Sequence, residues 1–165
     1  MIKAGGSFFH NGKRCTIGAV ISLKGLLYMV TVSHIFREEG DHLIADGMKL
    51  VVTRILKDYG LALIELPPDS AVEITEFGSP AELELAVLIN DTRTIHYCRV
   101  VNAGASLLFL GFQCHDMPEP EDSGTPVLQG GKVIGMMSST TLDTCMGIAI
   151  SSNILRSLER QRKRK

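Results

Sequence analysis

Apolar and polar residues alternate along most of the chain in short runs, and each run is closed by a turn signal. In the first half, residues 7–10, 15–23, 26–33, 43–45, 48–56 and 59–66 predict strands. Between them stand Asn11-Gly12, Lys24-Gly25, Glu39-Gly40-Asp41 and Asp46-Gly47. Asn-Gly and Asp-Gly favour hairpins because both residues tolerate positive φ. Pro67-Pro68 stops the last strand, and residues 69–82, with Gly78 and Pro80, read as a crossover. The second half repeats the style over 83–89, 94–101, 107–112, 126–128, 132–139 and 146–150. The end changes period: Ser151 or Ser152 can cap a helix whose apolar stripe, Ile154, Leu155 and Leu158, would pack on the second half.

Short strands punctuated by turns predict barrels rather than alternating β and α units. The expected architecture is all-β: two six-stranded antiparallel β-barrels followed by a C-terminal α-helix. One domain would hold an N-terminal barrel (1–68), the crossover (69–82), a C-terminal barrel (83–150), and a helix with a basic tail (151–165). Composition supports a substantial core, with 45% hydrophobic and 21% charged residues among 165. The net charge of −1 gives no global field for nucleic acid. Arg160, Arg162, Lys163, Arg164 and Lys165 nevertheless crowd the end, either as a solvated terminus or as a weak RNA or anionic contact. The N-terminus lacks the apolar core of a secretory signal, and no apolar run approaches the ~20 residues of a membrane-spanning helix. A cytoplasmic location is the expectation. Cys15, Cys98, Cys114 and Cys145 form no Cys-x-x-Cys pair, so reduced, mostly buried thiols are expected.

The candidate chemistry centres on Glu121-Asp122-Ser123-Gly124-Thr125-Pro126-Val127. It reads either as a polar surface turn or as a tight turn projecting a nucleophilic serine beside converging backbone N–H groups. Gly124 leaves room for a substrate, and Pro126 restricts the chain leaving the turn. Upstream, Thr31-Val32-Ser33-His34-Ile35-Phe36 closes an apolar strand with a histidine able to act as a general base near neutral pH.

These motifs resemble those of the chymotrypsin-like serine peptidases. The nucleophile turn is similar to Gly-Asp-Ser-Gly-Gly-Pro, and Thr31–Ile35 is similar to Thr-Ala-Ala-His-Val. Leu61-Ala62-Leu63-Ile64-Glu65-Leu66 resembles the strand after the family's triad aspartate. Gly131-Lys132-Val133-Ile134-Gly135 and Gly147-Ile148-Ala149-Ile150-Ser151-Ser152-Asn153 resemble the HtrA (Deg) branch. The motifs keep the family's order across nearly the whole chain. The resemblance implies a serine endopeptidase needing no cofactor and acting on polypeptides. Ser123 would be nucleophile and His34 base then acid, with the N–H groups of Glu121 and Ser123 forming the oxyanion hole. Ser138, Ser139 and Thr140 would bind the substrate backbone as an added strand. Met117 takes the place of the charged residue that sets specificity in trypsin-type enzymes, which implies a medium apolar preference.

Two positions depart from the family pattern. The triad aspartate falls at Gly60, and the nearest carboxylate, Asp58, stands two residues earlier, ~6.6 Å along a strand. Asp58 brought in by a bulge, another acid such as Asp41 or Asp46, or a Ser–His dyad are the competing arrangements, with Asp58 preferred. Glu121 stands where the family has glycine, and a glutamate at φ > 0 is strained. These departures keep open a rival function, an inactive pseudopeptidase that binds peptides or scaffolds partners. His96, Cys98, Cys114, His115 and Cys145 suit zinc chemically but lack ligand spacing, so no metal site is expected.

Overall fold

The computed structural model describes residues 1–92, 95–141 and 143–163, with side chains to Glu159. Thr94, the expected start of one strand, and the basic side chains of 160–165 lie outside the described residues. Eight strands fill the first half: β1 (Ser7–His10), β2 (Lys13–Thr16), β3 (Ala19–Leu23), β4 (Leu26–Val32), β5 (His42–Ala45), β6 (Met48–Val51), β7 (Arg54–Leu56) and β8 (Leu61–Leu66). They form two four-stranded antiparallel sheets, ordered β2-β1-β5-β6 and β3-β4-β8-β7, in place of the single six-stranded barrel expected for 1–68. The difference comes from two long predicted strands that each break and change sheet. Run 15–23 divides at Ile17-Gly18, and run 48–56 divides at Val52-Thr53. At the first corner the chain passes so close to the second half that a Cβ on Gly18 would lie 2.6 Å from Met136 Cε. Strands that switch sheets at such corners let crossed sheets share one core. Phe8, Met29, Leu43, Leu50 and Ile64 fill it.

The second half matches the expected closed barrel. Its strands are β9 (Leu85–Ile89), β10 (Ile95–Ala103), β11 (Leu107–Phe112), β12 (Pro126–Gln129), β13 (Lys132–Thr141) and β14 (Met146–Ser151). They close in the order β10-β11-β14-β13-β12-β9, with every pair antiparallel. Alternation sends Leu88, Val100, Leu110, Val127 and Ile134 inward, where all are buried.

A third core joins the halves. The helix α1 (Ser152–Lys163) starts where the Ser151 hydroxyl accepts the Asn153 N–H at 3.1 Å, an N-cap of the expected kind. Its stripe Ile154, Leu155 and Leu158 packs on Ile21, Val30 and Leu61 of the first half, together with Met136 and Ile150 of the second. The helix therefore clamps both halves instead of covering the second barrel alone. Arg156 and Ser152 also donate to the crossover carbonyls of Phe77 and Gly78, each at 2.8 Å. Among the described residues no helix is long and apolar enough to cross a membrane.

The cysteines depart from the expectation of reduced thiols. Cys114 and Cys145 form a disulfide with Cα atoms 5.2 Å apart. Pairing of β11 with β14 places Gly111 opposite Met146, and the Phe112 N–H donates to Cys145 O at 3.0 Å, so the segments just beyond both strands are neighbours. Cys15 and Cys98 are free. Burial raises the Cys98 thiol pKa to about 12. Thiol titration without reductant is expected to find Cys98 silent in the folded protein. Two thiols should react in guanidinium, and four after reduction. Cys114→Ser with Cys145→Ser should lower stability by ~3–4 kcal/mol in a urea titration, as loss of a crosslink of this span does.

Candidate active site

β4 ends at Val32, and Ser33–Ile35 turn once as a 3₁₀ helix that carries His34 to the surface. Phe36 anchors this turn. Its N–H donates to Ser33 O at 3.0 Å, and its buried ring lies 6.1 Å from Phe8, with His10 against its edge at 4.8 Å. The opposite half supplies Ser123, which ends a second 3₁₀ turn, Pro120–Asp122, just before β12.

His34 and Ser123 converge on one atom. His34 Nε2 lies 3.1 Å from Ser138 O, and the Ser123 hydroxyl donates to the same oxygen at 3.3 Å. A carbonyl oxygen only accepts, so Nε2 carries the hydrogen in this arrangement. Ser138 is free to accept because β13 bulges there, its register to β14 shifting between Met137 and Ser139. Ser139, Thr140 and Thr141 pair with β14, whereas β12 reaches only as far as Met136 along β13. The other edge of residues 138–141 is thus open among the described residues.

Gly124 joins the halves behind these side chains. Its N–H donates to Met137 O at 2.7 Å, its φ is +92°, and a Cβ would lie 2.5 Å from Thr16 O and 2.7 Å from Thr31 Oγ1. The Thr31 hydroxyl donates to Thr16 O at 2.9 Å and fixes that wall.

The geometry around Ser123 and Asp58 differs from the arrangement the resemblance implies. The Ser123 N–H does not stand free with that of Glu121; it donates to Pro120 O at 3.2 Å within the 3₁₀ turn. Glu121 does not adopt positive φ, the backbone that glycine would allow and a Cβ disfavours. Asp122, missed as a structural residue by the sequence reading, holds this turn. Its buried carboxylate accepts the Glu119 N–H at 2.9 Å and faces Asn90 Nδ2 at 3.4 Å and His96 Nε2 at 3.5 Å. His96 Nδ1 lies 3.0 Å from Asp116 Oδ1, while its buried Nε2, near Asp122, makes no hydrogen bond. The sequence signal for this role was the inward alternation of His96 and Cys98 on β10.

The second difference concerns the third member. Asp58 is exposed in a turn closed by Tyr59 N–H to Leu56 O (3.1 Å) and Gly60 N–H to Lys57 O (3.3 Å). No hydrogen bond or ion pair joins it to His34 among the described residues. The turn instead offers the Gly60 carbonyl, which accepts the Ser33 N–H at 2.8 Å. Asp41 is engaged elsewhere, accepting the Arg37 N–H at 2.8 Å, and Asp46 sits in the β5–β6 hairpin turn. The disulfide also removes Cys114 and Cys145 from any zinc set, and no metal-binding cluster is found among the described residues.

A cavity of about 920 Å³ opens beside Ser123, between Lys13–Thr16 and the segment 115–123. Met117, His115 and Glu121 line it; Ser138, Ser139 and Thr140 do not.

This architecture is the fold of the chymotrypsin-like serine proteases. Nocardiopsis protease superposes with a TM-score of 0.75 at 14% identity, covering 96% of each chain. Thermobifida fusca protease A gives 0.73 at 16%, covering 97% of this chain and 95% of that one. A human pathogenic astrovirus serine protease gives 0.60 at 15%, covering 92% and 91%. No protein-family model matches the sequence, and no curated protein matches it by sequence.

Gly124→Ala is expected to cost at least ~3 kcal/mol, because left-handed strain adds to overpacking against backbone. Urea denaturation measures it; a loss below 1 kcal/mol would show that the junction can yield.

Proposed function

We propose that this chain is a serine endopeptidase whose described state is latent, with Ser123 as nucleophile and His34 as its base. One observation carries the reading. Two side chains from different halves, each of the right chemistry, meet at Ser138 O beside an open strand edge. A polypeptide added along residues 138–141 would present its scissile carbonyl near Ser123. His34 would then hold its hydrogen on Nδ1, leaving Nε2 to take the Ser123 proton. Oγ attacks the carbonyl carbon, and Nε2–H next protonates the amine as the C–N bond breaks. Water repeats the sequence on the acyl-enzyme and returns the proton to Ser123.

Stabilising the tetrahedral oxyanion requires the 120–123 turn to open, releasing the Ser123 N–H from Pro120 and turning that of Glu121 toward the substrate. With Asp58 exposed and making no hydrogen bond to His34, the working unit is a Ser–His dyad. The HtrA-like motifs at 131–135 and 147–153 support the use of β13 as the docking strand, and Met117 supports an apolar pocket residue. The Cys114–Cys145 bond favours an oxidising compartment over the cytoplasm. The basic run at 160–165 supports a weak, salt-dependent contact with RNA or another polyanion.

A fluorophosphonate probe tests the nucleophile. Slow labelling of the native protein, abolished by Ser123→Ala and by His34→Ala and altered less than ~10-fold by Asp58→Ala, is expected for a dyad. A loss approaching the ~10⁴ of a missing triad carboxylate would restore Asp58 as third member. Absence of labelling from pH 6 to 9 in folded protein would refute the enzyme and leave a peptide-binding module.

Two substitutions should increase the rate. Glu121→Gly allows the backbone that frees an oxyanion donor, worth up to ~10²–10³-fold. Gly60→Asp places a carboxylate at the family position. A Cβ there meets only Ile150 Cδ1, at 3.8 Å, and aspartate tolerates the left-handed φ of +68° better than most residues. Unchanged labelling in both variants would remove the explanation of latency given above.

A further inference from the structure

His96 is 8% exposed on the inward face of β10, yet one of its ring nitrogens has no hydrogen bond. Nδ1 meets Asp116 Oδ1 at 3.0 Å, whereas Nε2 stands 3.5 Å from Asp122 Oδ2 with no hydrogen-bond partner among the described residues. Buried polar atoms are nearly always paired, so an orphan of this kind has a physical reason. The charge of the ring supplies it. A carboxylate oxygen accepts, so the short contact puts the hydrogen of the neutral ring on Nδ1. Nε2 then turns a bare lone pair toward a second carboxylate, and no bond can form. The imidazolium carries hydrogens on both nitrogens and can satisfy both carboxylates after a small movement.

Asp122 Oδ2 is also the oxygen that accepts the Glu119 N–H at 2.9 Å. The Glu119 side chain accepts the Asp122 N–H in return, a reciprocal capping box. That box closes the 3₁₀ turn whose Ser123 N–H is folded onto Pro120 O. Whatever fixes this carboxylate therefore fixes the turn.

We propose that His96 is a positioning residue for Ser123, acting through Asp122 as a proton-operated latch. The charged ring donates Nε2–H to Asp122 Oδ2 and holds the 120–123 turn closed; the neutral ring lets it open. The latch is set in acid and released as pH rises through the range, about 5 to 8, in which imidazoles change charge. The charged and titratable groups around the ring are these. Asp116, His115 and Glu119 come from the segment before the turn, and Glu121 and Asp122 from the turn itself. His10, Lys13, Arg14 and Cys15 line the same cavity from the first half. On β10, Cys98 shares the inward face and Arg99 is exposed. β9 and β11, paired to either side of β10, contribute no charged residue. Among the described residues only Asp116 and Asp122 lie within ion-pair distance of the ring, so these two carboxylates set the preference. The proposal rests on the reading of Ser123 as nucleophile for its rate readout alone.

Amide hydrogen exchange and imidazole ¹⁵N resonances, followed by NMR from about pH 5 to 8, test the latch in the native protein. The Ser123 amide is expected to lose at least ~10-fold in protection, beyond intrinsic pH effects and beyond the barrel amides of Val100 and Leu110, in step with loss of charge at His96. His96→Gln, which offers a side-chain N–H near the place of Nε2 at every pH, should keep that protection at the alkaline end. His96→Leu should lack it at the acid end. His115→Gln, on the same cavity, should retain the native step. Fluorophosphonate labelling adds a rate. The ratio of His96→Leu to native rates cancels the titration of His34, and should fall from at least ~10-fold near the acid end to below ~2-fold near the alkaline end. A Ser123 amide whose protection does not follow the charge of His96 overturns the proposal. So does a step that survives in both His96 variants, or a labelling ratio that is flat with pH. Absence of labelling in every form would count against the peptidase reading alone, and the amide exchange would still decide the latch.

Discussion

Where Gly124 passes between Thr16, Thr31 and β13, there is space for a hydrogen atom and nothing larger. The rest of the molecule is arranged around that close approach. The N–H of Gly124 is committed to β13, while its missing side chain lets the first half move up against the same backbone. Gly18 makes the reciprocal concession beneath Met136. Because the two glycines face across the junction, the first-half turn bearing His34 and the second-half turn bearing Ser123 are brought to one carbonyl. Neither half alone would hold that geometry, and α1 reinforces it by packing on both.

Two local hydrogen-bond patterns then describe the same resting state. At Ser138 the imidazole and hydroxyl are both donors to a third party instead of donor and acceptor to each other. At Pro120 the Ser123 N–H folds back into its own turn. Each choice satisfies groups that would be left unpaired in a half-buried cleft with no substrate. Asp122 links this turn to the barrel wall through Asn90. The conformation of the 120–123 turn is therefore anchored from inside the second barrel.

The strands of the second barrel, the capped helix and the positions of His34 and Ser123 were legible because each is written locally, in alternation, in a cap or in a short motif. The breaks at Gly18 and Val52 were not, since an apolar run looks the same whether it stays in one sheet or turns a corner into the next. The helix's partner was hidden for a similar reason: Ile154, Leu155 and Leu158 declare an apolar stripe but not the sheet it will meet. Cys114 and Cys145 carry no spacing signal, and only the pairing of β11 with β14 makes them neighbours. Asp58 shows the limit of transferring a motif. Two residues of offset, harmless in a linear comparison, leave its carboxylate on a solvent-facing turn.

The bulge at Ser138 gives the oxygen there an unusual position in the fold. A carbonyl oxygen has two lone pairs, and both are engaged. A chain laid along this edge that claims the oxygen for its own N–H must evict a side chain first. The work of eviction comes from the remaining backbone bonds the incoming chain can make along Ser139, Thr140 and Thr141. A long extended segment has several such bonds to offset it, and a dipeptide has few. On the proposed reading, length itself thus becomes a form of recognition, imposed by the valence of a single oxygen before any side chain is read.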